Sequence, residues 1–274
     1  MNLKCLKIIA SLSCYKDTKL FLNILNSSDP AQELSNLDCA GVLEHLLPEL
    51  TALKGVDTID GQKHKDNFEH TLQVVKQTAD LSTDPWLRLV AILHDVGKAP
   101  TKRFDKEKGW TFQNHELVSA RLVKKIFDRF DLDKSKLDYV TKLVEYHGIT
   151  KELTKDGVTD SAIRRFSTEL SEYVDDLLLF CKCDMTTASY AKRQRFQNDL
   201  DKLKDRIEIV KRKDEVAKWR SPIDGNFIMK ELNIQPGRKL GLVKAEIERA
   251  IKANEIEDNF DSAYKYLLTI KDNY

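Results

Sequence analysis

The spacing of apolar residues along this chain is helical almost throughout. Apolar positions recur every three or four residues, and no run alternates apolar and polar residues long enough to predict a strand. Six prolines and ten glycines are few interruptions for a chain of 274 residues. The pattern therefore predicts an all-α fold.

The same pattern divides the chain into three parts. We predict a neck of short helices at residues 1–60, a body of five or six helices at 61–190, and a long helix with a small helical tail at 191–274. In the long helix, apolar residues step by four and three along one face: Phe196, Leu200, Leu203, Ile207 and Val210. This stripe predicts a helix packed on the body, with a coiled-coil seam as the alternative.

The beginning of the chain is similar to an export signal only superficially. Lys4 and Lys7 lead into a short apolar run, but the run is too short and Lys7 interrupts it. We predict a first helix at Met1–Cys14 instead. No stretch approaches the roughly 18 apolar residues that a membrane span needs, so no membrane association is expected.

Charge and cysteine content restrict the function classes. Lys and Arg number 45 and Asp and Glu number 44, which gives a net charge of +1. This balance excludes a bulk attraction to nucleic acid or to a membrane surface, so such binding needs a local patch. The five cysteines are odd in number and match no disulfide framework. They predict reduced thiols and a cytoplasmic location.

Several histidines occupy positions where helical spacing predicts an apolar residue. Together with two aspartates they form a candidate ligand set: His70, His94, Asp95, His115, His147 and Asp184. A buried carboxylate is costly unless a cation, a metal ion or hydrogen bonds meet it. The set therefore predicts two divalent metal ions (Mn, Fe, Co, Ni or Zn) bridged by Asp95. That each histidine is only a core or surface residue is the weaker interpretation, because so many such positions coincide.

The helices that carry this set have recognisable ends. Asp66 and Glu69 predict a capping box at one helix start, and Asp84 followed by Pro85 predicts another. The glycines that follow His94-Asp95 and His147, at positions 97 and 148, are predicted to be C-caps.

The order of His70, His94-Asp95 and Asp184 resembles that of the HD phosphohydrolase superfamily. The string Leu93-His94-Asp95-Val96-Gly97-Lys98 matches the hallmark of that family. The resemblance implies an HD-domain helical bundle for the body and hydrolysis of phosphomonoesters or phosphodiesters. His115 and His147 are similar to additions of its two-metal subtype. That subtype implies one ion on His70, His94, Asp95 and Asp184, and a second on Asp95, His115 and His147.

The resemblance narrows to the C-terminal part of bacterial tRNA nucleotidyltransferases (CCA-adding enzymes) that carry an HD domain. It rests on residues 46–56, 64–72, 108–112, 159–165, 222–225 and 236–238. It covers about residues 30–270. The polymerising head of that family has a Gly-Gly or Gly-Ser turn followed by an Asp-x-Asp pair. This chain has neither turn, and its Asp-x-Asp at Asp131-Leu132-Asp133 is predicted to lie in a helix connection. We therefore do not expect nucleotide addition.

Asp95 and Lys98 are the predicted catalytic residues. Lys98 lies one turn past the metal pair, where its ammonium is placed to bind a phosphate oxygen. The alternative for Lys98 is a solvated lysine beside a helix end.

Four further cations are predicted to bind substrate. Arg164 and Arg165 begin a helix, where a guanidinium suits an anion, although pairing with a nearby aspartate is an equal alternative. Lys102 and Arg103 would clamp the entrance of the substrate, with a solvated loop as the alternative.

The leading functional prediction is a metal-dependent phosphohydrolase. Its substrate would be a nucleotide, a 2′,3′-cyclic phosphate or an RNA 3′ end. One alternative is a tRNA-binding module or a partner of a separate nucleotidyltransferase, and another is a hydrolase of cyclic or oligonucleotide signals. The sequence leaves open the metal, the choice between monoesterase and diesterase, and the oligomeric state, with a homodimer among the alternatives.

Overall fold

Helices joined by short loops make up most of the described chain, which confirms the predicted all-α class. The computed structural model describes residues 14–273. The helices are α1 (Cys14–Leu25), α2 (Pro30–Cys39), α3 (Leu43–Leu46), α4 (Pro48–Thr51), α5 (Asn67–Leu81), α6 (Pro85–Leu93), α7 (Lys98–Thr101), α8 (His115–Arg129), α9 (Leu137–Tyr146), α10 (Ile149–Leu153), α11 (Asp160–Leu170), α12 (Val174–Asp184), α13 (Tyr190–Lys218), α14 (Gly225–Leu232), α15 (Arg238–Lys252) and α16 (Phe260–Ile270). Single turns of 3₁₀ helix lie at Lys134–Lys136, Ser171–Tyr173 and Lys271–Asn273. Most of the helix predicted at the start of the chain, residues 1–13, lies outside the described residues.

Two small antiparallel hairpins interrupt the helices. The first pairs β1 (Thr58–Ile59) with β2 (Gln62–Lys63), and the second pairs β3 (Arg103–Asp105) with β4 (Gly109–Thr111). The sequence pattern predicted no strand, because strands of two or three residues are too short to show alternation.

The chain divides into two compact units, Met1–Val210 and Lys211–Tyr274. Within the first, one hydrophobic cluster extends from Phe21 to Val210. The apolar stripe of α13 belongs to this cluster, with four of its residues buried: Leu200, Leu203, Ile207 and Val210. The prediction of a helix packed on the body is therefore confirmed.

The second unit has a core of its own. Apolar residues of α14, α15 and α16 pack together, among them Ile228, Val243 and Leu267. Helix α15 begins directly after Gly237.

The predicted helix starts are confirmed by their caps. The Asp66 carboxylate accepts hydrogen bonds from the N–H groups of Phe68 and Glu69 at the start of α5. The Asp84 carboxylate accepts one from the Trp86 N–H at the start of α6. These contacts satisfy N–H groups that have no partner within the helix.

The predicted C-caps are wrong. Helix α6 ends at Leu93 and α9 at Tyr146. In each case the backbone soon continues into a short helix, α7 or α10. Gly97 and Gly148 have φ of −71° and −75°, in the right-handed region. What requires glycine at position 97 is close packing, because a Cβ there would lie 2.2 Å from the His115 carbonyl oxygen.

One buried arginine stabilises the neck against the body. Arg88 of α6 donates hydrogen bonds to the carbonyls of Leu25 and Ser27, both at 2.9 Å, and of Ser82 at 3.1 Å. The local sequence does not indicate that Arg88 is buried, since an arginine on an amphipathic helix is usually exposed.

None of the helices in residues 14–273 combines the length and the hydropathy needed to cross a bilayer. Cys39 is exposed and Cys181 and Cys183 are buried, all three as free thiols.

Candidate metal centre

The predicted ligand residues come together at the ends of five helices. His70 lies in the first turn of α5, His94 and Asp95 directly follow α6, and His115 is the first residue of α8. His147 directly follows α9, and Asp184 is the last residue of α12.

The side chains form two groups of three. In each group, one ligand atom from every residue lies within 4.8 Å of the others. The first group contains His70, His94 and Asp184. Oδ1 of Asp184 lies 3.0 Å from Nε2 of His70 and 3.5 Å from Nε2 of His94.

The second group contains Asp95, His115 and His147. Oδ1 of Asp95 lies 3.3 Å from Nε2 of His115 and 3.8 Å from Nε2 of His147. The other oxygen, Oδ2, faces the first group, at 3.2 Å from Nε2 of His94 and 3.7 Å from Nε2 of His70. Asp95 is therefore placed between the groups, with one oxygen toward each.

Three of the imidazoles are held in the same way. Nδ1 of each donates to the backbone carbonyl three residues earlier. The Nδ1–O distances are 2.9 Å for His94, 2.9 Å for His115 and 2.7 Å for His147. A hydrogen bond at Nδ1 leaves the lone pair of Nε2 free and directed into the centre, which is the usual arrangement of a metal-ligating histidine.

Two buried polar atoms at the centre have no hydrogen-bond partner among the described residues. They are Nε2 of His94, whose side chain is fully buried, and Oδ1 of Asp95. Native proteins rarely leave buried polar atoms unpaired, since the cost of desolvation is then not recovered. An imidazole nitrogen and a carboxylate oxygen are ligands of divalent transition metals, so these residues fit a metal ion.

The electrostatics of the centre favour charged carboxylates. Burial by itself raises the pKa of Asp95 and of Asp184. Nearby imidazoles outweigh this effect and hold both pKa values well below the usual range, with His94 as the main favourable charge. Burial disfavours charge on His94, yet Asp95 and Asp184 together raise its pKa to about 9. Burial and the charge of His94 lower the pKa of His147 to about 4. Two charged carboxylates in a buried cluster of bases attract cations.

An open cavity of about 650 Å³ lies in front of these groups. Lys98 lines it, and its Nζ lies 2.6 Å from Oδ2 of Asp95. The loop after α12 contributes Thr186.

Two cations at this cavity were missed by the sequence analysis. Lys65 and Lys151 both line it. Lys151 follows His147 by four residues, so helical spacing would have indicated it. Lys65 lies in a loop five residues before His70, and no periodic signal marks it.

The other predicted substrate-binding residues do not line this cavity. Lys102 forms an ion pair with Asp57, and Arg103 is exposed and donates to the Lys102 carbonyl. Arg164 and Arg165 are exposed on α11. Their role in binding substrate stays a prediction.

Comparison with known proteins agrees with this geometry. The family description "HD domain" matches residues 67–217. An A-adding tRNA nucleotidyltransferase of Deinococcus radiodurans is 30% identical over 239 residues, which cover 85% of this chain and 53% of that protein. A CC-adding tRNA nucleotidyltransferase of Thermus thermophilus is 28% identical over 244 residues, which cover 85% of this chain and 52% of the relative.

A further relative is a multifunctional CCA protein of Methylococcus capsulatus, 28% identical over 177 residues, with 60% of this chain and 39% of the relative covered. The chain spans about half the length of the Deinococcus and Thermus relatives. The matched region contains the whole ligand set, from His70 to Asp184. The chain therefore belongs to the HD-domain superfamily of metal-dependent phosphohydrolases.

Proposed function

We propose that this chain hydrolyses a phosphate ester at a centre of two divalent metal ions, with a nucleotide, a 2′,3′-cyclic phosphate or an RNA 3′ end as substrate. The observation that carries the proposal is the pair of ligand groups with Asp95 between them, and with unpaired buried atoms at the centre. The proposed ligands are His70, His94, Asp95 and Asp184 for one ion, and Asp95, His115 and His147 for the other. Such ions, when bound, supply Lewis acidity at the phosphate and an activated water.

The protein's own residues hold the metal ligands in place and provide a positive charge beside Asp95. The carbonyl-bound imidazoles keep Nε2 in place, so that little reorganisation is needed for binding. Lys98 carries a positive charge into the cavity while it contacts Oδ2 of Asp95. We propose that Lys98 also binds an oxygen of the reacting phosphate, since charge-assisted bonds of this kind are strong and short.

The names of the relatives favour an RNA end over a free nucleotide. The Deinococcus and Thermus proteins are named as tRNA nucleotidyltransferases, and the similarity covers 85% of this chain. An open cavity supports the same choice, because an RNA end must enter while the rest of the molecule stays outside. The names of these relatives also favour a second candidate function, a tRNA-binding module.

Metal analysis and phosphate release decide between the two candidates. The purified chain, loaded with Mn, Co or Ni, is tested on bis-p-nitrophenyl phosphate, 2′,3′-cyclic AMP, nucleotides and tRNA 3′ ends. We expect about two metal ions per chain and turnover that is lost in Asp95→Ala. Asp80→Ala is the matched control, because Asp80 is an exposed carboxylate paired with Lys76 on the surface of α5.

Absence of bound metal together with absence of turnover on every substrate would overturn the proposal. A gel shift with tRNA that weakens as salt rises would then support the binding module. Turnover that persists in Asp95→Ala would show that the centre described above is not the active site.

A further inference from the structure

Three lysines reach the cavity in front of the metal centre from separate parts of the chain. Lys65 precedes α5, Lys98 begins α7, and Lys151 lies in α10. Two of these ammonium groups lie near carboxylates of the centre, whereas the contacts of the third are with uncharged groups.

The contacts of the three lysines differ. Lys98 lies against Oδ2 of Asp95 at 2.6 Å, and Lys151 lies 3.7 Å from Oδ2 of Asp184. Lys65 contacts the Thr186 hydroxyl and lies 3.2 Å from Nδ1 of His70, and neither of these groups carries a negative charge. Lys65 therefore lies beside His70 and Lys151 beside Asp184, both members of the first group. Lys98 instead contacts Oδ2 of Asp95, the oxygen that faces this group.

The charges that line the cavity balance only while no metal is bound. The carboxylates are Asp95, Glu116 and Asp184, and the lysines are Lys65, Lys98 and Lys151. Two divalent ions would bring four positive charges, and a reacting phosphate ester compensates at most two. The remaining positive charge favours a substrate with a further anionic group.

We propose that Lys65, Lys151 and the Thr186 hydroxyl form a second phosphate subsite beside the metal centre. The substrate then carries a non-reacting phosphate next to the reacting one, as the end of an RNA chain does and a mononucleotide 2′,3′-cyclic phosphate does not. Two ammonium groups and a hydroxyl supply the donors that a phosphodiester needs. This inference rests on the proposed function and narrows its substrate class.

The first arm of the test compares two substrates that differ by one nucleotide, and therefore by one backbone phosphate. The dinucleotide ApA with a 2′,3′-cyclic phosphate end is compared with adenosine 2′,3′-cyclic phosphate. We expect the wild-type chain to favour the dinucleotide by about tenfold in kcat/KM, and Lys65→Met or Lys151→Met to remove most of this preference. Lys65→Arg keeps the positive charge and should therefore keep the preference for the dinucleotide. Equal kcat/KM for the two substrates in the wild-type chain would overturn the inference.

Lys155→Met is the matched control for loss of a lysine charge. Lys155 lies four residues after Lys151, pairs with Glu152 at 2.6 Å on the surface, and does not line the cavity. The control should keep the preference. If it removes the preference as fully as Lys151→Met does, the effect is one of overall charge and the subsite is refuted.

The second arm measures binding without turnover. A rhodamine-labelled ApA with a non-hydrolysable 3′-phosphonate is titrated with protein in the presence of Mn and followed by fluorescence anisotropy. We expect each lysine-to-methionine change at the subsite to weaken binding by about tenfold relative to Lys155→Met. If no substrate is turned over but binding depends on Lys65 and Lys151, the proposed function fails and the anion subsite stands. If turnover occurs but binding is indifferent to both lysines, the function stands and the subsite is refuted.

Discussion

Replacement of Gly97 by alanine tests how closely the metal centre depends on backbone packing. Gly97 lies in the turn between α6 and α7, and its N–H donates to the Ser119 hydroxyl at 2.8 Å. A Cβ at this position would lie 2.2 Å from the His115 carbonyl oxygen and 2.6 Å from the Ser119 nitrogen. Both atoms belong to the backbone of α8, so no side-chain rotation relieves the clash.

The size of the displacement follows from these distances. Ordinary contact begins at 3.4 Å, so the first turn of α8 must retreat by about 1.2 Å from the 2.2 Å contact. His115 begins α8, and its Nε2 lies only 3.3 Å from Oδ1 of Asp95. We expect a loss of roughly 1–3 kcal/mol in stability from overpacking. The affinity of the second metal ion should fall by roughly 10- to 100-fold, the size of effect seen when the support of a ligand is disturbed.

Thermal unfolding followed by circular dichroism and metal titration measure the two effects separately. The melting temperature should fall by roughly 2–4 °C per kcal/mol lost. Gly241→Ala is the control, because a Cβ there meets no atom within 4 Å inside α15. It should stabilise the helix by roughly 0.5–1 kcal/mol and leave metal binding unchanged. A Gly97→Ala chain with the wild-type melting temperature and full affinity for both ions would refute the reasoning.

Three other predictions concern stability and reactivity. Arg88→Met should cost roughly 3 kcal/mol or more in urea unfolding, because three carbonyls lose a charged donor. A cost below about 1 kcal/mol would contradict this account. Burial opposes charge on Glu49, but its hydrogen bonds with Arg129 lower its pKa below the ordinary 4.5. The charged carboxylate therefore stabilises the fold at pH values above 4.5. The difference in free energy of unfolding between wild type and Glu49→Gln should shrink as the pH falls through the lowered pKa. A gap that does not depend on pH would show that Glu49 titrates alike in both states. Burial raises the pKa of the Cys181 thiol to about 12. At pH 8, iodoacetamide with peptide mapping should therefore label exposed Cys39 long before Cys181, and equal rates would show that the core opens.

Local sequence signals predicted much of the fold and the ligand set. Apolar spacing in α5, α9 and α12 shows which face of each helix is buried, because a period of 3.6 residues is a property of the helix itself. His70, His147 and Asp184 lie on these faces, so their burial could be predicted without tertiary information. The caps at Asp66 and Asp84 are equally local, since each involves N–H groups two or three residues away.

Tertiary structure alone decided that Lys65 faces the metal centre and that Arg165 does not. Lys65 lines the cavity, although no periodic signal in the local sequence marks it. A lysine in a loop has no periodic position, so only the packing of its loop against other elements places its ammonium. The same holds for Gly97, whose need for a missing Cβ arises from α8, a helix that begins 18 residues later in the chain. The sequence by itself determined the helices, their buried faces and the ligand types. The approach of one helix to another decided which residues meet at the cavity and how the two ligand groups are separated, because these depend on contacts between residues far apart in the chain.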